Sequence, residues 1–104
     1  MTSAEVKDLV QSEIGNDWGI STSHGVVLQE CLIEPELRHF LPPAEDGEEI
    51  ELWVVLEEDP KGRLGYKIVF DQKRKVFGLA TTDLNGPDVY LGPYGTLMET
   101  LEAM

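Results

Sequence analysis

From Ile50 to Thr81 the chain alternates between apolar, β-prone runs and short polar loops. The first run, IELWVVLE over 50–57, has apolar residues at nearly every position. Ile50, Leu52, Val54 and Leu56 are expected on one face, and Trp53 and Val55 on the other. Apolar content on both faces marks a strand inside a sheet. Asp59-Pro60-Lys61-Gly62 follows, with proline presetting φ and Gly62 free to take a positive φ. Residues 64–70 alternate with period two: Leu64, Tyr66, Ile68 and Phe70 face a core and Lys67 faces outward. A second loop, Asp71 to Lys75, leads to a third strand, VFGLAT over 76–81. In that strand Gly78 permits a bulge or a close backbone approach. These three strands read as an antiparallel meander.

The flanking segments read as cover and extension. Thr2 and Glu5 have capping-box spacing, and Val6, Leu9, Val10 and Ile14 share one helical face, so residues 2–14 are expected to be a helix. VVLQECLI over 26–33 reads as a strand. Pro35 cannot donate to a ladder, so regular pairing is expected to fail near it. The run PELRHFLPP then reads as irregular, with Leu37, Phe40 and Leu41 tucked inward. Residues 44–49 form an acidic loop. A short strand over 89–91 and a final helix, capped by Thr96 and Glu99 and lined by Leu97, Leu101 and Met104, complete the chain. Clustered strands with helices at both ends predict a single α+β domain over 1–104. Its sheet has four to five mainly antiparallel strands, with the 50–81 meander at the centre and the two helices packed on it.

Charge adds a functional clue. The net charge is −12, and residues 1–58 carry all of it, with fourteen acids against Lys7 and Arg38. Residues 61–75 hold six bases and one acid, Asp71. The overall field opposes binding to nucleic acid and anionic membranes, and attracts a basic protein. A single cysteine, Cys31, excludes an internal disulfide framework. No apolar run is long enough to span a membrane, and the N-terminus lacks a signal-peptide pattern. These features predict a cytoplasmic protein.

Candidate chemistry is sparse. His24 and His39 both fall in loops and could join Cys31 or nearby carboxylates, the basis for reading the chain as a small hydrolase or metal-dependent enzyme. No pair among them has a recognised ligand spacing. Gly92, Gly95 and Thr96 precede a helix, but no base in 76–104 completes an anion site. The sequence therefore predicts no catalytic residues, no metal and no cofactor. Glu45, Asp46, Glu48, Glu49, Glu57, Glu58 and Asp59 form the expected acidic contact surface. Trp18 or Trp53 would be its apolar anchor if exposed.

The run GYKIVFDQKRKVFGLA, followed by LGPYGTLMETLEAM, resembles a pattern in small acidic bacterial proteins of unknown function, FGLA followed by GxYGxLxExLxxM. Phe77 to Ala80, Gly92, Tyr94, Gly95, Leu97, Glu99, Leu101 and Met104 carry the likeness. Proteins of this kind are loosely similar to the immunity proteins of toxin systems. The resemblance implies a non-enzymatic inhibitor that occludes a basic toxin or nuclease, and it assigns no binding residues. The other reading compatible with the sequence is a homodimeric regulatory or assembly module; a monomer and a homodimer both fit the composition.

Overall fold

A computed structural model describes residues 1–16, 28–42, 48–82 and 88–104. The elements are α1 (Ser3–Ile14), α2 (Leu28–Cys31), β1 (Leu32–Phe40), β2 (Ile50–Glu57), β3 (Gly65–Asp71), β4 (Val76–Thr82), β5 (Asp88–Gly95) and α3 (Leu97–Ala103). The five strands form one antiparallel sheet in chain order. This is the expected α+β arrangement, with the meander at its centre.

Both helix caps form as their spacing predicts. Thr2 Oγ1 accepts from the Glu5 amide, and the Glu5 carboxylate accepts from the Thr2 amide. Thr96 and Glu99 repeat the arrangement at α3. Thr100, fully buried, donates its hydroxyl to the Thr96 carbonyl at 2.8 Å. A helix as short as α3 is unstable alone. It is held by Leu97, Leu101 and Met104, all buried in the main core.

The first half departs from the sequence expectation. Residues 28–31 are a single helical turn, not part of a strand, and β1 begins at Leu32 and runs on through Pro35 to Phe40. Val26 and Val27, expected in that strand, lie outside the described residues. Pairing does become irregular at Pro35: Leu32 sits opposite Leu56, the next partner is Glu36 opposite Val54, and the register shifts between them. A bulge absorbs the missing donor, and the strand continues. Extended backbone then sends alternate residues to opposite faces. Phe40 is fully buried, while Leu37 and Leu41, expected inward, are exposed.

A second bulge, between Val54 and Leu56, changes the meander. Leu56 joins Trp53 and Val55 in the core beneath the helices, with Ile68, Phe70, Phe77 and Leu79. The expected face of Ile50, Leu52, Val54 and Leu56 is broken at its last member, because one extra residue reverses the alternation. It also turns Glu57 to the opposite face. There Glu57 pairs with Lys67, which lies opposite Ala80.

That opposite face holds a separate cluster of Phe40, Leu52, Val54, Val69, Ala80 and Tyr90. The buried apolar side chains of the helices all belong to the first cluster. Among the described residues, the second face is bounded by the curvature of the sheet. Leu41 and Val89 form a parallel bridge: the Leu41 amide donates to Asp88 O at 2.9 Å and the Tyr90 amide to Leu41 O at 2.8 Å. The end of β1 thus meets the start of β5, and the sheet curls around its inner face.

Gly78 lets β5 lie close against β4. A Cβ there would lie 2.4 Å from the Gly92 carbonyl oxygen and 2.7 Å from the Tyr90 hydroxyl. The register of β4 against β5 shifts at the same place. Gly78→Ala is expected to lower stability by about 1–3 kcal/mol through overpacking. A urea denaturation midpoint would measure it; an unchanged midpoint would mean that β5 shifts freely.

The two meander turns share one construction. Arg63 N donates to Asp59 O, and Lys75 N donates to Asp71 O, both at 2.7 Å. Arg63 and Lys75 adopt φ of 61° and 57°. The left-handed residue in the first turn is thus Arg63, not Gly62. Gly62 instead donates its N–H to Asp59 Oδ1 at 3.0 Å.

Candidate functional site

The expected acidic surface divides into two regions and a buried residue. Glu48 and Glu49 precede β2 and are exposed, as is Glu51. Glu58 and Asp59 are exposed beyond its other end. Strand β2 separates them by roughly 23 Å, seven steps of about 3.3 Å. Glu45 and Asp46 lie outside the described residues. So do Trp18 and His24, leaving His39 the only histidine described.

Glu57 is not a surface residue. It is 1% exposed and its partner Lys67 is 0% exposed, with Lys67 Nζ 2.9 Å from Glu57 Oε2. Lys67, expected to face water, is among the most buried side chains. Its ammonium also donates to the Arg63 carbonyl at 2.8 Å. Arg63 Nε approaches Glu57 Oε1 at 2.9 Å, and its guanidinium bonds Glu36 on β1. Hydrogen bonds donated by the guanidinium to Glu36 first, then to Glu57, hold the Arg63 pKa above its ordinary value. The left-handed backbone of Arg63 positions both its side chain and its carbonyl for this network. Sequence spacing could not reveal it, because the bulge in β2 decides the direction of Glu57.

Trp53 is also buried, at 8% exposure, so it cannot anchor a partner. It packs beneath the helices and donates its indole N–H to Gln72 Oε1 at 2.9 Å.

The hydroxyl of Tyr90 projects toward Gly78 on the inner face. Burial, then the charge of Asp71, raises the Tyr90 phenol pKa, against a smaller opposite effect of Arg74. The folded state therefore favours the protonated phenol. Its contribution is complete below the unfolded pKa of about 10 and is lost as pH rises through the folded value. Denaturation followed from pH 9 to 11 should show falling stability, with a smaller slope in Tyr90→Phe. An identical slope in the variant would assign the loss to other groups.

His39 lies on β1 between two carboxylates, with Nδ1 3.4 Å from Glu49 and Nε2 3.7 Å from Glu51. All three side chains are about 60% exposed, at 61, 62 and 58%. Cys31 is buried, its Sγ 3.9 Å from the Glu58 carbonyl oxygen. Among the described residues, no three His, Cys, Asp or Glu side chains are grouped to hold a metal ion. No helix among them is long and apolar enough to cross a membrane.

The groove between α1, α3 and the β3–β4 turn is lined by Leu9, Glu13, Phe77, Lys75 and Glu99, among others. Its carboxylates serve the helix: Glu13 accepts from the Leu97 amide at 3.3 Å, and Glu99 completes the α3 cap. This groove is part of the packing that holds α3.

The chain matches no protein family, no curated protein and no solved structure.

Proposed function

We propose that this is a non-enzymatic acidic binding protein that docks on a basic partner. Its most concrete form is an immunity-type inhibitor that occludes a bacterial toxin or nuclease, acting in the cytoplasm. The observation that carries the reading is the exposed acidic end of β2. Glu48, Glu49 and Glu51 gather there beside His39, within a molecule of net charge −12. Such a surface accelerates encounter with a cationic partner and rejects anionic ones. Inhibition would follow from coverage of the partner's active surface, with no cofactor or bond-making step.

The test is capture from a bacterial lysate at low and high salt. Wild-type protein would be compared with a Glu48→Lys, Glu49→Lys, Glu51→Lys variant, and the retained protein would be identified and its association rate measured. A basic protein should be retained at low salt, with an association rate that falls at least ~10-fold between 50 and 500 mM salt. The triple variant should lose it. Retention of no basic protein at low salt would overturn the proposal.

A further inference from the structure

Among the described residues, the outer, helix-bearing face of the sheet carries exposed apolar side chains. Helix α1 reaches β1 at Pro35, where Ser3 Oγ donates to the Pro35 carbonyl at 2.7 Å. Beyond that contact, Leu37, His39 and Leu41 follow one another on the same face. Leu37 sits opposite Trp53, and His39 opposite Glu51. Across the β1–β5 junction the strip continues through Val89 to Leu91. Leu37, Leu41 and Leu91 are 42, 37 and 45% exposed.

This neighbourhood exists only because the sheet curls. In a flat sheet of the same strand order, β1 and β5 would be opposite edges, about 19 Å apart at ~4.8 Å per strand spacing. Leu41 and Leu91 would then belong to different surfaces. The Leu41–Val89 bridge makes them one.

We infer that this strip, Leu37, His39, Leu41, Val89 and Leu91, is the docking face. Its occupant is a basic protein surface whose cations flank an apolar side chain. The inference rests on the binding-protein reading and locates its contact. The leucines would supply the apolar centre of the contact, the role that buried Trp53 cannot fill. Glu49 and Glu51 supply its acidic margin. Apolar anchors dominate the energy of such contacts, while marginal charges set rate and orientation. Charge also argues against a second copy of this chain. A second copy would bring another net charge of −12, with its own Glu49 and Glu51, to the same strip.

The test uses intact, isotopically labelled protein and three synthetic twelve-residue peptides: alternating Lys–Leu, alternating Lys–Ser and alternating Glu–Leu. The Lys–Leu peptide should shift the amide resonances of Leu37, His39, Leu41, Val89 and Leu91. Lys–Ser should bind at least ~10-fold more weakly, and Glu–Leu should not bind. The exposed double substitution Leu41→Ser, Leu91→Ser should weaken Lys–Leu binding by ~10-fold or more with little change in thermal midpoint.

Equal binding of Lys–Ser, shifts centred on Glu58 and Asp59, or no binding of Lys–Leu would each overturn the inference. So would shifts of the strip with protein concentration alone, which would make a second copy the occupant. The double variant also separates the two proposals. If it still retains a basic partner in the salt-dependent capture, this strip fails and the binding-protein reading stands. If wild-type protein retains none, the reading itself fails.

Discussion

Glu57→Leu is expected to destabilise the protein by about 3–5 kcal/mol, because it leaves the sealed Lys67 ammonium without its counter-ion. Lys67 would keep only the Arg63 carbonyl at 2.8 Å. Lys67→Met should cost less, since the Glu57 carboxylate retains Arg63 Nε at 2.9 Å. The order of the two single variants is therefore a sharper test than either magnitude. The double variant Glu57→Leu, Lys67→Met removes both charges and fills their space with apolar atoms. It should recover most of the loss, because a buried pair contributes little net stability over a well-packed apolar replacement. In it, Arg63 still has Glu36 as a partner. At roughly 4–8 °C per kcal/mol for a domain of about this size, Glu57→Leu should lower the thermal midpoint by at least ~12 °C. If both single variants melt within a few degrees of wild type, water reaches the pair and the inner face is more open than the structure shows.

This pair also marks where the sequence stopped being informative. Capping boxes, the meander and the last helix were legible, because each depends on contacts a few residues apart. The burial of Lys67 was not. The alternation of β3 holds, with Ile68 and Phe70 in the core and Lys67 on the other face, although Tyr66, expected inward, is 46% exposed. What alternation cannot tell is whether the other face meets water. Here the sheet curls and covers it. Glu57 was placed at the surface for a similar reason: a one-residue bulge reverses every side chain beyond it. PELRHFLPP reads as irregular from its own residues, and only the tertiary pairing of β1 with β2 makes it a strand. The acidic surface was legible in composition but not in space. Glu48 and Glu49 share it with Glu51, which the pairing of β1 with β2 sets opposite His39. Leu37 and Leu41 are expected inward but are exposed, as is Leu91. No local signal distinguishes an exposed strand leucine from a buried one.

Phe40→Ala should bring the second large effect, a loss of about 3–5 kcal/mol from the cavity left by a fully buried ring. Phe40 precedes the residue that bridges to β5, and it packs in the same inner cluster as Leu52 and Tyr90. Its removal therefore empties the core directly behind the junction of β1 and β5. The damage should be local before it is global. In native-state hydrogen exchange, the Leu41 and Tyr90 amides, which form the bridge, should lose more protection than Val10 in α1. Phe40→Leu leaves a smaller void and should cost about 1–2 kcal/mol. Because the strip from Leu37 to Leu91 depends on that junction, Phe40→Ala should also weaken Lys–Leu peptide binding under conditions where the protein remains folded. None of the three surface leucines is altered by the substitution, so a change in binding would report the alignment of the two strands. Uniform loss of protection at Leu41, Tyr90 and Val10 would mean that the junction opens only with the whole domain. In that case Phe40 supports the fold in general and has no particular part in holding the strip together.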